Sequence, residues 1–411
     1  MDSGIIPMWQ PLCLSGLLGF VVAASLLGLT RRFRSIVQPW VVRRVQSDLP
    51  LILKIQRWQH RYLDVFFSVI SCLVSVPFYT GFIPILFWSG HSKLARQVSL
   101  LMAFCDYIGN AIKDAISAPR PSCPPVRRVT ATEDEKENAM EYGLPSSHAL
   151  NTVCLAGYLL HYALTTYGHE MDGFRVLIGF SLVFLLVSLI GLGRIYLGMH
   201  SFIDVGAGIT MGLVVLAFWL IVHDHIDNFL TSGQNVTSFC AGLSFVLLFA
   251  YPTPEAPTPS FEYHTAFSGV AFGLVSGIQQ TYLLFHSEDI PRIFSPELSI
   301  LVFFARLLAG IPTILIVKFC SKALSKWLLP VICNTLGIPI RSSCYIPALK
   351  ESDSSKNKSD NKQIGYLQRA ISFLPHKTYD VDTGIRFLQY AGLGWSVSDL
   401  VPYLFTRLSL S

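Results

Sequence analysis

Apolar stretches of about twenty residues recur along this chain, the length a helix needs to cross the hydrocarbon core of a bilayer. They fall at 11–29, 65–89, 97–117, 147–166, 176–193, 203–223, 237–252, 266–285 and 298–318. A segment crossing lipid must satisfy its own backbone hydrogen bonds, which favours helices. The expected fold class is therefore all-α: a polytopic membrane helical bundle. Composition agrees, since 52% of the 411 residues are hydrophobic and only 14% are charged, against about 25% charged in soluble domains.

Several stretches qualify this frame. The run at 65–89 holds Pro77 and Pro84 and reads as one kinked helix or two short ones. That at 237–252 is short, and 326–340 and 384–404 are further candidates, spanning or lying at the interface. The first run lacks a preceding basic region and reads as an anchor. Segment 31–61 carries seven arginines with Trp40 and Trp58, a pattern that suits an interfacial helix on lipid headgroups. Residues 122–142 form a polar loop with the acidic run Glu133-Asp134-Glu135, and 350–363 read as a disordered linker. A net charge of +5, partly in loops and without a basic aromatic patch, fits membrane lipids and gives no reason to expect nucleic acid. The nine cysteines include no Cys-x2-Cys pair, so neither a zinc site nor a disulfide framework is indicated; most are expected to be packing residues.

Against this apolar background three charged clusters stand out: Lys113-x6-Arg120-Pro121, Pro145-Ser146-Ser147-His148, and Arg194-x5-His200-x3-Asp204. A charge at the centre of a membrane helix costs roughly 2.5–3.5 kcal/mol, so a chain that keeps this set beside its spans has a use for it. Taken singly, each cluster has a plain reading. Lys113 and Arg120 would snorkel to headgroups, Ser146 and Ser147 would cap a helix, and His200 with Asp204 would be an ion pair on one helical face. Taken together, three cations, a helix N-terminus and two imidazoles suit phosphate binding with nucleophilic attack. Gly193 and Gly198 permit a turn between Arg194 and His200.

The pattern resembles the type 2 phosphatidic acid phosphatases, whose signature is Lys-x6-Arg-Pro, Pro-Ser-Gly-His and Ser-Arg-x5-His-x3-Asp. The resemblance spans about residues 110–210. Leu144–Ala149 and Arg194–Ser201 look like the sphingosine-1-phosphate phosphatase branch, and that likeness extends to Leu388–Trp395 near the C-terminus. Two positions depart: Ser147 stands for the family Gly, and Gly193 for the Ser before Arg194. Ser147 keeps its backbone N–H, whereas Gly193 loses a hydroxyl available to phosphate.

The resemblance implies a six-helix phosphatase core with additional C-terminal transmembrane helices. It also implies metal-independent hydrolysis with no cofactor, His200 as nucleophile, Asp204 as its orienting carboxylate and His148 as the proton donor. Lys113, Arg120, Ser146, Ser147 and Arg194 would hold the phosphate. The substrate expected is a sphingoid base phosphate lipid, with phosphatidic acid and a sugar phosphate as alternatives, and a non-catalytic lipid-phosphate binder as a different class. The implied location is the endoplasmic reticulum membrane with a luminal site. Expected divisions are 1–62 (anchor and basic segment), 63–225 (catalytic core), 226–345 (additional helices) and 346–411 (polar linker and C-terminal segment). Counting spans from a cytosolic N-terminus places the motifs in the lumen, but with the Arg-rich segment beside them, against the positive-inside rule. Splitting 65–89 into a hairpin would instead leave 31–61 cytosolic with a luminal site, if the N-terminus is also luminal. Asn235-Val-Thr and Asn357-Lys-Ser fit the glycosylation sequon, so a glycan at either would fix the side.

Overall fold

A computed structural model describes residues 6–130, 132–286, 292–293, 298–342, 344–346 and 379–410. Among them the chain is all-α apart from a two-residue parallel pairing, Ile340–Arg341 (β1) with Tyr379–Asp380 (β2). The helices are α1 (Trp9–Leu26), α2 (Leu29–Gln56), α3 (Arg61–Ser71), α4 (Val76–Trp88), α5 (Ser92–Ile116), α6 (Glu133–Asn138), α7 (Ser147–Tyr167), α8 (Gly173–Tyr196), α9 (Phe202–Ser232), α10 (Val236–Ala250), α11 (Ser260–Thr281), α12 (Ile300–Thr335), α13 (Val381–Trp395) and α14 (Val401–Arg407). Four of them, α1, α8, α9 and α12, are long and apolar enough to cross a membrane, and the bent pair α3–α4 makes a fifth. This is a multi-pass architecture. α8 and α9 carry much of the outward apolar surface, including Phe174, Phe184, Val214 and Ile221.

The stretch at 65–89 is a bent pair of helices. A 3₁₀ turn at Cys72–Val74 ends α3, the Ser75 hydroxyl caps α4, and the two helices bend by 49°. α3 begins beside the end of α8, where the His60 N–H donates to the Tyr196 hydroxyl at 3.1 Å, and α4 leads to the start of α5. Residues 298–318 and 326–340 also merge: Pro312 and Pro330 sit inside a continuous α12.

The Arg-rich segment is helical and crosses the end of the bundle that bears the three clusters. Arg34 donates to the carbonyls of Asp114 and Ala115, Gln38 to that of Ser117, and Asp48 accepts from the Ile203 N–H. The N-terminal end of α1 lies at the other end, where Gln10 donates to the Gln234 carbonyl. The start of α1 and Asn235 are thus opposite the clusters, and α2 shares the clusters' side. Asn357 lies outside the described residues, as does the expected linker at 350–363.

Two expectations change here. The boundary at 225/226 falls within α9, and a single apolar core runs from Val74 through Trp219 and Leu274 to Phe405, because the later helices pack directly on α5. Of the cysteines only Cys105, Cys154 and Cys333 are buried; five are exposed on the outside of the bundle.

The broadest helix pairing, α11 with α13, rests on Gly269 and Gly273, and Gly277 continues the stripe onto Ser398 in the turn after α13. A Cβ at Gly273 would meet the Ala391 carbonyl oxygen at 2.0 Å, and one at Gly269 the Phe387 oxygen at 2.5 Å. Small residues spaced by four let membrane helices approach to backbone contact. The sequence reading passed over this Gly-x3-Gly-x3-Gly stripe, although it was visible.

Candidate active site

The three clusters converge at one end of the bundle. Lys113 lies in the last turn of α5, Arg120 in the loop after it, Ser146 at the N-cap of α7, Arg194 in the last turn of α8, and His200 just before α9. Gly198 makes the sharp turn between the last two. Its φ is +70°, and a Cβ there would sit 2.2 Å from the Arg127 carbonyl oxygen, so only glycine fits. α9 approaches the start of α7 through Gly208, where a Cβ would lie 2.5 Å from the Ser146 oxygen. The resulting cleft, with about 60 Å³ of free space, is lined by all three clusters together with the α3–α4 break and α11.

His200 and Asp204 meet differently from a pair on a helical face. Asp204 is the third residue of α9, and its Oδ2 accepts the Ser201 N–H at 2.7 Å while the Ser201 hydroxyl caps the Asp204 N–H. This reciprocal capping box, readable in Ser201-x2-Asp204, fixes the carboxylate before the imidazole is considered. His200 lies outside the helix with Nδ1 3.8 Å from that Oδ2. Its Nε2 is 2.9 Å from an Arg120 guanidinium nitrogen. Guanidinium only donates, so Nε2 accepts and the ring proton belongs on Nδ1, facing Asp204. Burial, reinforced by the Arg120, Arg194 and Lys113 charges, holds His200 well below the usual imidazole range, so the ring is neutral.

The cations are buried but not equally occupied. Arg120 donates to the carbonyls of Glu141, Met199 and Asn138, and burial lowers it to about 10, still charged at neutral pH. Lys113 is bonded to the Glu141 carboxylate, whose Oε2 also lies 3.7 Å from Arg120. Sequence reasoning missed Glu141; it stands in a polar loop with no motif to mark it. Arg194 is 0% exposed, and none of its three guanidinium nitrogens has a hydrogen-bond partner. Its nearest carboxylate oxygen, on Glu135, is 3.9 Å away. Ser146 stands at the N-cap, but its hydroxyl caps nothing, and the Ser146 and Ser147 hydroxyls are both buried without partners. His148, in the first turn of α7, lines the same cleft. Together these groups surround a space suited to a tetrahedral anion.

Residues 94–227 match the PAP2 superfamily. Lipid phosphate phosphatase delta of Arabidopsis thaliana is 60% identical over 98% of this chain and 97% of its own length. The chain belongs to the PAP2 superfamily. It is a phosphatase enzyme, of the lipid-directed kind these relatives represent. A dihydrosphingosine 1-phosphate phosphatase of Schizosaccharomyces pombe is 28% identical over 88% of each chain. Sphingosine-1-phosphate phosphatase 1 of Rattus norvegicus is 26% identical over 81% of this chain and 70% of its own. No solved structure matches the chain.

One departure from the PAP2 signature now has a cause. A Cβ on Gly193 would point at the Phe67 ring, 2.8 Å from its Cδ1, so a side chain there would face α3 and not phosphate. The absent hydroxyl reflects the close seat of α3 on α8.

Proposed function

We propose that this PAP2 enzyme hydrolyses sphingoid long-chain base 1-phosphates through a phosphohistidine intermediate. The observation that carries the reading is the fully buried Arg194 guanidinium, which donates no hydrogen bond, beside a neutral His200 whose Nδ1 faces a carboxylate. In this scheme His200 Nε2 attacks phosphorus, the bond from phosphorus to the C1 oxygen of the lipid breaks, and His148 delivers a proton to the departing alkoxide. Asp204 stabilises the imidazolium that forms. His148 then takes a proton from water as it attacks the phosphohistidine, releasing phosphate and restoring His200. Lys113, Arg120 and Arg194, with the Ser146 and Ser147 hydroxyls and the free N–H groups of the first turn of α7, would stabilise charge on the equatorial oxygens. Arg120 would move off Nε2 onto phosphate as substrate enters.

The names of the relatives support a lipid phosphate, and two of those cited support a sphingoid one. We place the enzyme in the endoplasmic reticulum membrane with its site toward the lumen. On that placement the N-terminus and Asn235 are cytosolic and α2 is luminal; a glycan on Asn235 would reverse the assignment. His200→Ala should abolish phosphate release from dihydrosphingosine 1-phosphate in detergent micelles, while excess EDTA leaves the unmodified enzyme active. Retained turnover by the variant sinks the nucleophile.

A further inference from the structure

Beyond the phosphate cations the cleft carries polarity that phosphoryl transfer does not use. Asp106, Asn110 and Lys113 share one face of α5 and all line the cleft. With a rise of 1.5 Å per residue, Asn110 and Asp106 lie roughly 5 and 10 Å along the helix from Lys113, toward the bilayer interior. Asn110 donates its side-chain N–H to Asp106 Oδ1 at 2.9 Å. The second oxygen, Asp106 Oδ2, is buried and has no partner, although the residue is only 8% exposed. Across the cleft on α7, one turn beyond His148, Asn151 is 7% exposed and its Oδ1 is likewise unpartnered. The buried Tyr79 hydroxyl of α4 completes the set.

A buried acceptor left unsatisfied costs about 1–3 kcal/mol, and more when it is charged. Asp106 Oδ2 and Asn151 Oδ1 are acceptors, so what they lack is a donor, and a carboxylate best takes a cation. A carboxylate so close to a phosphate site would repel a plain phosphate ester. It becomes useful when the substrate carries its own positive charge next to the phosphate. We propose that Asp106, with Asn151 beside it, binds the C2 ammonium group of a sphingoid base 1-phosphate and so selects amino-bearing headgroups. The ammonium sits one carbon from the phosphate-bearing C1, so it lies just to the bilayer side of Lys113, Arg120 and Arg194, where these acceptors are. The hydrocarbon chain then leaves past Val74, Val76 and Phe267, which line the same cleft. Phosphatidic acid presents a neutral ester at that point and leaves Asp106 unpaired. The inference rests on the phosphatase reading above and adds a specificity determinant to it.

The test uses the full-length enzyme in detergent micelles and two substrates of equal chain length. One is dihydrosphingosine 1-phosphate; the other carries a hydroxyl in place of the C2 amine. The unmodified enzyme should favour the amine in kcat/KM by at least about tenfold, equivalent to 1.4 kcal/mol. Asp106→Asn, which keeps shape and removes charge, should bring the ratio close to one. An unmodified enzyme indifferent to the amine overturns the proposal, and that comparison needs no variant to fold. A preference that survives in Asp106→Asn also overturns it, as does an equal loss on both substrates. His200→Ala run alongside separates the two layers. Turnover by that variant defeats the mechanism, whereas an inactive His200→Ala with a flat substrate ratio defeats the headgroup reading alone.

Discussion

Two arginines, each almost wholly buried, sit at opposite ends of this bundle with opposite degrees of satisfaction. Arg96, near the start of α5, grips Asp227 of α9 through two bonds of 2.7 and 2.8 Å and donates a third to the His286 carbonyl at 3.1 Å. Arg194, at the end of α8, donates to nothing. A buried guanidinium is tolerated when it is paired and costly when it is not. The Arg96 end is therefore complete as folded. The Arg194 end has a carboxylate only at 3.9 Å, on Glu135, and leaves every guanidinium donor free for an anion. Satisfaction, more than burial or charge, separates a structural cation from one held ready for a ligand.

Exchanging each arginine for methionine gives the largest contrast. Arg194→Met should lower phosphate release by about 10²–10³-fold, as for other groups that stabilise transition-state charge, without loss of thermal stability. Arg96→Met should destabilise by about 3–5 kcal/mol, because Asp227 is left buried and alone, while the surviving folded enzyme stays active. The opposite pattern would erase the distinction. Next in size is the response to inorganic phosphate. At a hundred times its Kd it should stabilise the unmodified protein by about 2.7 kcal/mol in thermal melts, and Arg194→Met should show no shift.

Glu141→Gln probes the occupied half of the same site. Losing the charge that engages Lys113 should cost about 1–3 kcal/mol of stability and strengthen product inhibition by phosphate, since an internal competitor is gone. The smallest effect is one of pH. His200 is held neutral below its ordinary value of ~6.5, so below that pH the unfolded chain binds the extra proton and stability falls as pH drops. His200→Asn should flatten the decline of melting temperature below about pH 6.5; an unchanged slope would mean the ring is already charged in the fold.

How much of this was legible beforehand depends on what kind of signal each residue leaves. Length and hydropathy gave the bundle. The spacing of the charged residues singled out Lys113, Arg120, His148, Arg194, His200 and Asp204, and the fold gathers them around one cleft. Adjacency in space without a motif was invisible, which is why Glu141 and Asp106 went unmarked. The His200–Asp204 approach was expected for a different reason, since four-residue spacing suggests a helical face where the chain builds a capping box. Gly193 looked like a weakened phosphate contact only because sequence cannot tell which way a missing side chain would have pointed. The crossing at 65–89 was ambiguous because proline marks a break without giving its angle.

The glycine stripe of α11 bears on how the protein is made. Its partner α13 begins only at Val381, well over a helix length of sequence after α11 has ended at Thr281, so the ribosome delivers it long after α11. Until then the face of α11 bearing Gly269, Gly273 and Gly277 has backbone but no mate, and Tyr263 and Phe267 of the same helix already line the cleft. Seating of the α11 wall of the cleft thus waits on synthesis of α13, and a chain stopped short of α13 would leave that glycine face an open groove.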